Sequence, residues 1–378
     1  MPKSEQMQNR RPTLPEELLW RIAYFMVSPR SSSTLGLEDS ADLSDIDTFF
    51  KPAWTDVQGF AMGSKALRYM ILRNWFRVLH IRSDDDWKVY EERYPFVFRY
   101  TTAIVWHGVI GIDPGLNAAR NFFTRFAGRS LRSVRLILPV PGDQLLNLEY
   151  TPEYPDYLKV IGSCCTSACS SGTPTDTSIP NDNPIPTTIT KTSTITKLEI
   201  YNDLYPVPDS VRLIAEAVPQ LEVLRWRQPS IWCNLCFTCS LPRFSNPLPV
   251  DKVLKYPDGR GLPAHWASRL SDLPNLHTVL VTVGVKQGFR PFMFPSSFPS
   301  SLPSTTSNTF RSFPWTGECE MCLSLMDRDS TLLDTCLERK MSNKKIPPNL
   351  KRVEWRFVSI DEFENGSDWN RISKYLYE

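Results

Sequence analysis

Ile195-Thr196-Lys197-Leu198-Glu199-Ile200 is followed 26 positions later by Leu221-Glu222-Val223-Leu224-Arg225-Trp226. Both hexapeptides read apolar-x-x-apolar-x-apolar. The same unit recurs as Phe76-Leu79-Ile81, Thr101-Ile104-Trp106, Leu131-Val134-Leu136, Leu276-Val279-Val281 and Leu350-Val353-Trp355. The last two positions of each unit are two residues apart, so on a strand they share one face. One such unit means little, but recurrence in one form is the mark of a repeated supersecondary element.

Between the units lie stretches with helical character, at 87–94, 116–126, 210–218, 264–273 and 323–341. Pro219 and Pro274 end two of them just before the next unit, as helix stops do. Leu79 to Ile104 spans 25 residues and Leu198 to Leu224 spans 26, inside the usual leucine-rich-repeat length of about 20–29. The expected fold class is therefore α/β, an irregular leucine-rich-repeat solenoid of parallel strands and helices over 76–378. The customary Asn of the repeat is missing. The competing expectation is an ordinary α/β sheet domain with alternating strands and helices. Two low-complexity insertions, 162–196 (Ser, Thr and Pro rich) and 286–315 (Phe, Pro and Ser rich), read as loops leaving the repeat body.

Composition narrows the class of partner. The 378 residues are 41% hydrophobic and 12% aromatic, enough for a sizeable core. With 43 basic and 41 acidic residues the net charge is +2, so there is no overall field to attract nucleic acid or an anionic membrane. No apolar run is long enough to span a bilayer. The polar start implies no secretory signal, and the expected compartment is cytoplasm or nucleus. There the nine cysteines would be thiols or metal ligands rather than a disulfide framework.

Before the repeats, Thr13-Leu14-Pro15-Glu16-Glu17-Leu18-Leu19-Trp20-Arg21-Ile22-Ala23-Tyr24-Phe25-Met26 predicts an amphipathic helix. Thr13 can cap it, Pro15 suits its first turn, and Glu16 and Glu17 oppose the positive end of its dipole. Leu18, Ile22 and Phe25 form an apolar stripe with Leu14 close to the cap. An acidic, polar stretch at 29–56 reads as an exposed loop, and helical signals return at Asp56.

Leu-Pro-x-Glu-Leu-x-x-x-Ile, then Ser64-Lys65-Ala66-Leu67-Arg68 and Trp75-Phe76-Arg77-Val78-Leu79, resembles the fungal F-box pattern running into a first repeat strand. The resemblance covers roughly residues 12–82, giving an F-box-like helical domain at 12–75; the acidic insertion departs from the pattern. It implies docking onto a Skp-type linker of a cullin ubiquitin ligase through Leu14, Pro15, Leu18 and Ile22, with Leu67 and Trp75 nearer the small core. The chain would then be a substrate-recognition adaptor of an SCF-type ligase, holding an unidentified target protein on its repeats. The alternative is a leucine-rich-repeat interaction scaffold with no ubiquitin role, its first helices a mere cap.

Cys233-Asn234-Leu235-Cys236-Phe237-Thr238-Cys239 holds two overlapping Cys-x-x-Cys pairs, and Cys319-Glu320-Met321-Cys322 another. Two such pairs can present four thiolates tetrahedrally to zinc. In the repeat reading both segments lie in strand-to-helix connections of adjacent repeats and emerge on one edge. Cys233, Cys236, Cys319 and Cys322 are thus a candidate structural zinc set, although spacing alone does not decide among Cys233, Cys236 and Cys239. Buried small apolar side chains are the plain alternative. Catalysis finds no support. His80, His107 and His277 sit in or beside repeat strands as structural side chains, His265 is at most a reserve ligand, and Asp84-Asp85-Asp86 reads as a helix start. No phosphate-binding or nucleophile-elbow motif is present. The expected protein is not an enzyme.

Overall fold

The computed structural model describes residues 14–27, 51–82, 84–107, 131–137, 194–201, 208–228, 231–240, 253–285, 315–319 and 345–359, with isolated positions between 123 and 161 and between 322 and 338. It is a mixed α/β protein built on an eight-stranded, mostly parallel sheet.

Three helices open it: α1 (Glu16–Val27), α2 (Trp54–Met62) and α3 (Lys65–Trp75). The carbonyl of Pro15 accepts from the Leu18 and Leu19 N–H groups, so Pro15 stands at the cap and not inside the first turn. Thr13 lies outside the described residues. Ser64 caps α3, its Oγ accepting from Leu67 N at 3.1 Å. Ala23, Val27, Val57, Ala61, Met70 and Ile71 interlock as a small core. The helix expected to resume at Asp56 starts two residues earlier, at Trp54. Trp54 packs edge-on to Trp75, with ring centroids 5.3 Å apart, and this contact extends the helix backwards.

The sheet carries β1 (Val78–Ile81), β2 (Ala103–His107), β3 (Ser133–Ile137), β4 (Lys197–Tyr201), β5 (Val223–Gln228), β9 (Thr278–Val285) and β10 (Arg352–Ser359), all parallel and each beside its predecessor. Its far edge is β8 (Val253–Tyr256), antiparallel to β10. A separate two-residue hairpin pairs β6 (Ile231–Trp232) with β7 (Cys239–Ser240). Every repeat unit named above lies on its own parallel strand and in one register. Leu79, Ile104, Val134, Leu198, Leu224, Val279 and Val353 form one cross-strand row; Ile81, Trp106, Leu136, Ile200, Trp226, Val281 and Trp355 form the next.

Those rows face the helices and make the main core. Between strands run α4 (Asp84–Arg93), a 3-10 turn at Pro95–Arg99, α5 (Pro208–Ala217) and α6 (Ala264–Leu270). Val211, Ile214, Trp266, Ala267 and Leu270 bury themselves against the sheet, with the Trp226 and Trp266 rings stacked at 4.6 Å. The expected helices at 116–126 and 323–341 fall largely outside the described residues, as do most of both low-complexity insertions. Two ends of those insertions belong to the core instead: Ile195 is fully buried and Trp315 nearly so, packed on Trp355 at 4.6 Å. Trp75 touches both cores and so joins the helical unit to the sheet.

Candidate metal centre and docking face

The β6–β7 hairpin turns through Cys233-Asn234-Leu235-Cys236-Phe237-Thr238. Cys233 N donates to Thr238 O at 2.8 Å and Phe237 N to Cys233 O at 3.1 Å, closing the knuckle. Phe237 takes a positive φ of 56° to do so, a conformation rare for a bulky side chain and a sign that the turn is held from outside. The second arm arrives as Trp315-Thr316-Gly317-Glu318-Cys319. Gly317 has φ 93°, and a Cβ there would come within 3.3 Å of the Trp355 ring, so glycine is needed both for the turn and for the close approach.

These two arms bring Cys233, Cys236, Cys319 and Cys322 together, with all four sulfurs within 4.8 Å of one another. Cys233 Sγ is 3.8 Å from Cys322 Sγ, and Cys236 Sγ is 3.8 Å from Cys319 Sγ. A tetrahedral ion with bonds of about 2.3 Å has ligand edges of about 3.8 Å, so the donor set fits a thiolate-bound metal ion. The N–H groups of Leu235, Cys236 and Cys319 point at Cys233 Sγ, at 3.4, 3.5 and 3.2 Å. Such donors favour a thiolate. Without a cation the cluster favours protons: a hydrogen bond with Cys319, and then burial, push Cys233 up to about 12. Burial and then the neighbouring Cys233 push Cys322 to about 12 as well.

A polar brace not visible in the sequence holds the arms. Asn234 Nδ2 donates to Thr316 Oγ1 at 2.9 Å, and Thr316 gives its N–H and hydroxyl to the Glu318 carboxylate at 2.8 and 2.6 Å. Asn234 Oδ1 accepts from Ala264 N at 3.1 Å and from His265 Nδ1 at 3.0 Å, tying the knuckle to the start of α6. His265 is therefore a brace rather than a ligand, and burial lowers its pKa to about 4. The only hint of this network in the sequence is that Asn234 and Glu318 directly adjoin cysteines.

The other candidate face is on α1. Leu14, Leu18 and Ile22 are 56%, 43% and 38% exposed, Phe25 is 70% exposed, and Pro15 is exposed too. The helix spends Ala23 and Val27, helped by Leu19, Trp20 and Met26, on its own small core. Exposed Met62 and Tyr69 on α2 and α3 were not anticipated as candidates.

The histidines are structural in placement, but the expectation of satisfied rings fails for His80. Neither of its buried nitrogens has a hydrogen-bond partner among the described residues. Burial first, then Lys51 and His107, hold it neutral, and its ring lies 6.3 Å from that of His107. Among the described residues no helix is long and apolar enough to cross a membrane. No protein-family model matches the chain, and a search of curated proteins finds no match.

Proposed function

We propose that this chain is a substrate-recognition adaptor of an SCF-type ubiquitin ligase, docking on a Skp-type linker through α1 and holding a target protein on a leucine-rich-repeat body. The observation that carries the reading is the apolar ridge of Leu14, Leu18, Ile22 and Phe25, which stays open to solvent while the opposite side of α1 packs on α3. A helix that served only as a lid would have no use for a second apolar stripe opposite the Trp20 and Met26 side that packs on the small core. An exposed apolar stripe at helical spacing suits a helix-in-groove contact with another subunit.

The repeat reading is supported by the backbone. At the second position of each unit one carbonyl accepts two N–H groups from the next strand: Arg77, Thr102, Arg132, Thr196, Glu222 and His277 all do this in turn. Side chains repeat the theme, with Asn275 Nδ2 bonding Gln220 Oε1 at 2.8 Å and Asn349 Nδ2 bonding Pro274 O at 2.6 Å. Such identical steps suit units stacked as a solenoid, each burying what its neighbour leaves open.

The cysteine quartet is read as a structural zinc site. Four protein thiolates leave no open coordination position for a water or substrate, as structural sites require. The ion would fasten two long connections into one cap. The chain itself performs no chemistry in this scheme; it raises the local concentration of target lysines beside a conjugating enzyme brought by other subunits.

Co-expression with a Skp-type linker tests the reading. The wild type is expected to co-purify with the linker, and Leu14→Asp with Leu18→Asp to lose it while remaining folded. A wild type that never retains the linker leaves the scaffold alternative in place.

A further inference from the structure

The sheet has a second face, turned away from the helices, and it is charged. Two cross-strand rows run along it. One holds Arg135, Glu199, Arg225, Leu280 and Glu354; the other holds Ile137, Tyr201, Arg227, Thr282 and Arg356. Lys197 and Arg352 lie one row further along. Both acids are engaged inside the sheet. Glu199 meets Arg135 at 2.7 Å, Lys197 at 3.2 Å and Arg225 at 3.6 Å, and Glu354 meets Arg352 at 2.6 Å. Among the described residues, cations outnumber acids on this face, although the whole chain is nearly neutral.

The surplus has a place. A hollow of about 290 Å³ opens on this face, lined among others by Tyr201, Arg225, Arg227, Thr282, Glu354 and Arg356. Arg356 is exposed and forms no ion pair among the described residues, and Thr282 stands between it and Arg227 in the register. The Arg227 guanidinium lies 5.8 Å from the Tyr201 ring centroid, a contact that helps fix its plane. Two guanidinium forks with a hydroxyl between them match the oxygen geometry of a carboxylate or phosphate group.

We propose that this hollow receives an anionic side chain, carboxylate or phosphate, presented by a partner polypeptide, with Arg227, Thr282 and Arg356 as the recognising groups. A single anionic group suits the site better than a nucleic-acid backbone. The unbroken cationic stretch is short: towards β1 the same face carries Val105 and the neutral His80 and His107, which separate it from Arg82 and the buried Lys51 beyond. A polyanion needs a continuous charged track, which is not offered. The proposal gives the chemistry of the target segment in the adaptor reading and rests on that reading only for the name of the partner.

Fluorescence anisotropy on the full chain tests it with three labelled peptides, identical except for Ser, Glu or phosphoserine at the centre, and with a labelled single-stranded oligonucleotide. The phosphoserine or the Glu peptide is expected to bind in a saturable, salt-weakened manner, and their ranking separates phosphate from carboxylate. Arg356→Gln and Arg227→Gln should each weaken binding roughly tenfold, whereas Arg269→Gln on α6 should not. Circular dichroism melting shows that each variant is folded; Arg356→Gln, at an exposed position, keeps the test alive if Arg227→Gln is not. The proposal is overturned if the Ser peptide binds equally, if Arg269→Gln weakens binding as much, or if the oligonucleotide binds more tightly than every peptide. A chain that retains the linker but no anionic peptide sinks this inference alone; the converse sinks the adaptor reading alone.

Discussion

Glu199 has no exposure to solvent, and a lone carboxylate in that position would not stay ionised. Burial pushes its pKa up, but Arg135, Lys197 and Arg225 together outweigh burial and hold it below the usual carboxylate range. Removing the charge leaves three cations around an apolar side chain that cannot compensate them. Glu199→Leu is expected to destabilise the fold by about 3–5 kcal/mol, read as a lowered urea midpoint at neutral pH. His107 makes the opposite kind of demand. Burial, then Arg82 and Arg135, lower its pKa from 6.5 to about 4, so the folded state refuses a proton that the unfolded chain accepts. The unfolded state thus binds more protons between those values, and stability rises with pH across that window. The urea midpoint should fall as pH drops from about 6.5 towards 4, and His107→Gln should reduce that slope in part, because His80 and His265 are depressed over the same window. An unchanged slope in the variant would place the titration elsewhere.

At the scale of elements, the parallel strands were legible because their signal is local: an apolar pair two residues apart, preceded by a third apolar residue, marks each strand wherever its partner lies. The strand β8 sends no such signal. Val253-Leu254-Lys255-Tyr256 is half-exposed and antiparallel, and its partner β10 lies about a hundred residues on. The cysteine arms were legible for the same reason as the parallel strands, since Cys-x-x-Cys is a local motif and the repeat reading put both arms on one edge. The Asn234–Thr316–Glu318 brace was not, because each of its residues is common and only their meeting is informative. Metal release should act on these elements selectively. Incubation with a strong chelator is expected to lower the melting temperature by roughly 5–10 °C. It should speed amide exchange in β6, β7 and β8 while leaving β2, β3 and β4 protected. Elemental analysis should find one zinc per chain in the wild type and much less in Cys319→Ser. Uniform loosening of all strands would show that the ion does more than fasten the cap.

The whole molecule depends on the joint at Trp75, where helical unit and sheet share one side chain. Lys51 reinforces it, with its Nζ 3.5 Å from the Trp75 ring centroid and donating to Val78 O at 3.1 Å. That carbonyl belongs to β1, the first strand of the sheet. At the opposite margin β8 runs backwards along β10 and takes up the bonding groups that a further parallel strand would need. A further parallel strand beside β10 would first have to displace that reversed strand, so at this margin the sheet is closed to extension in the direction its other strands run.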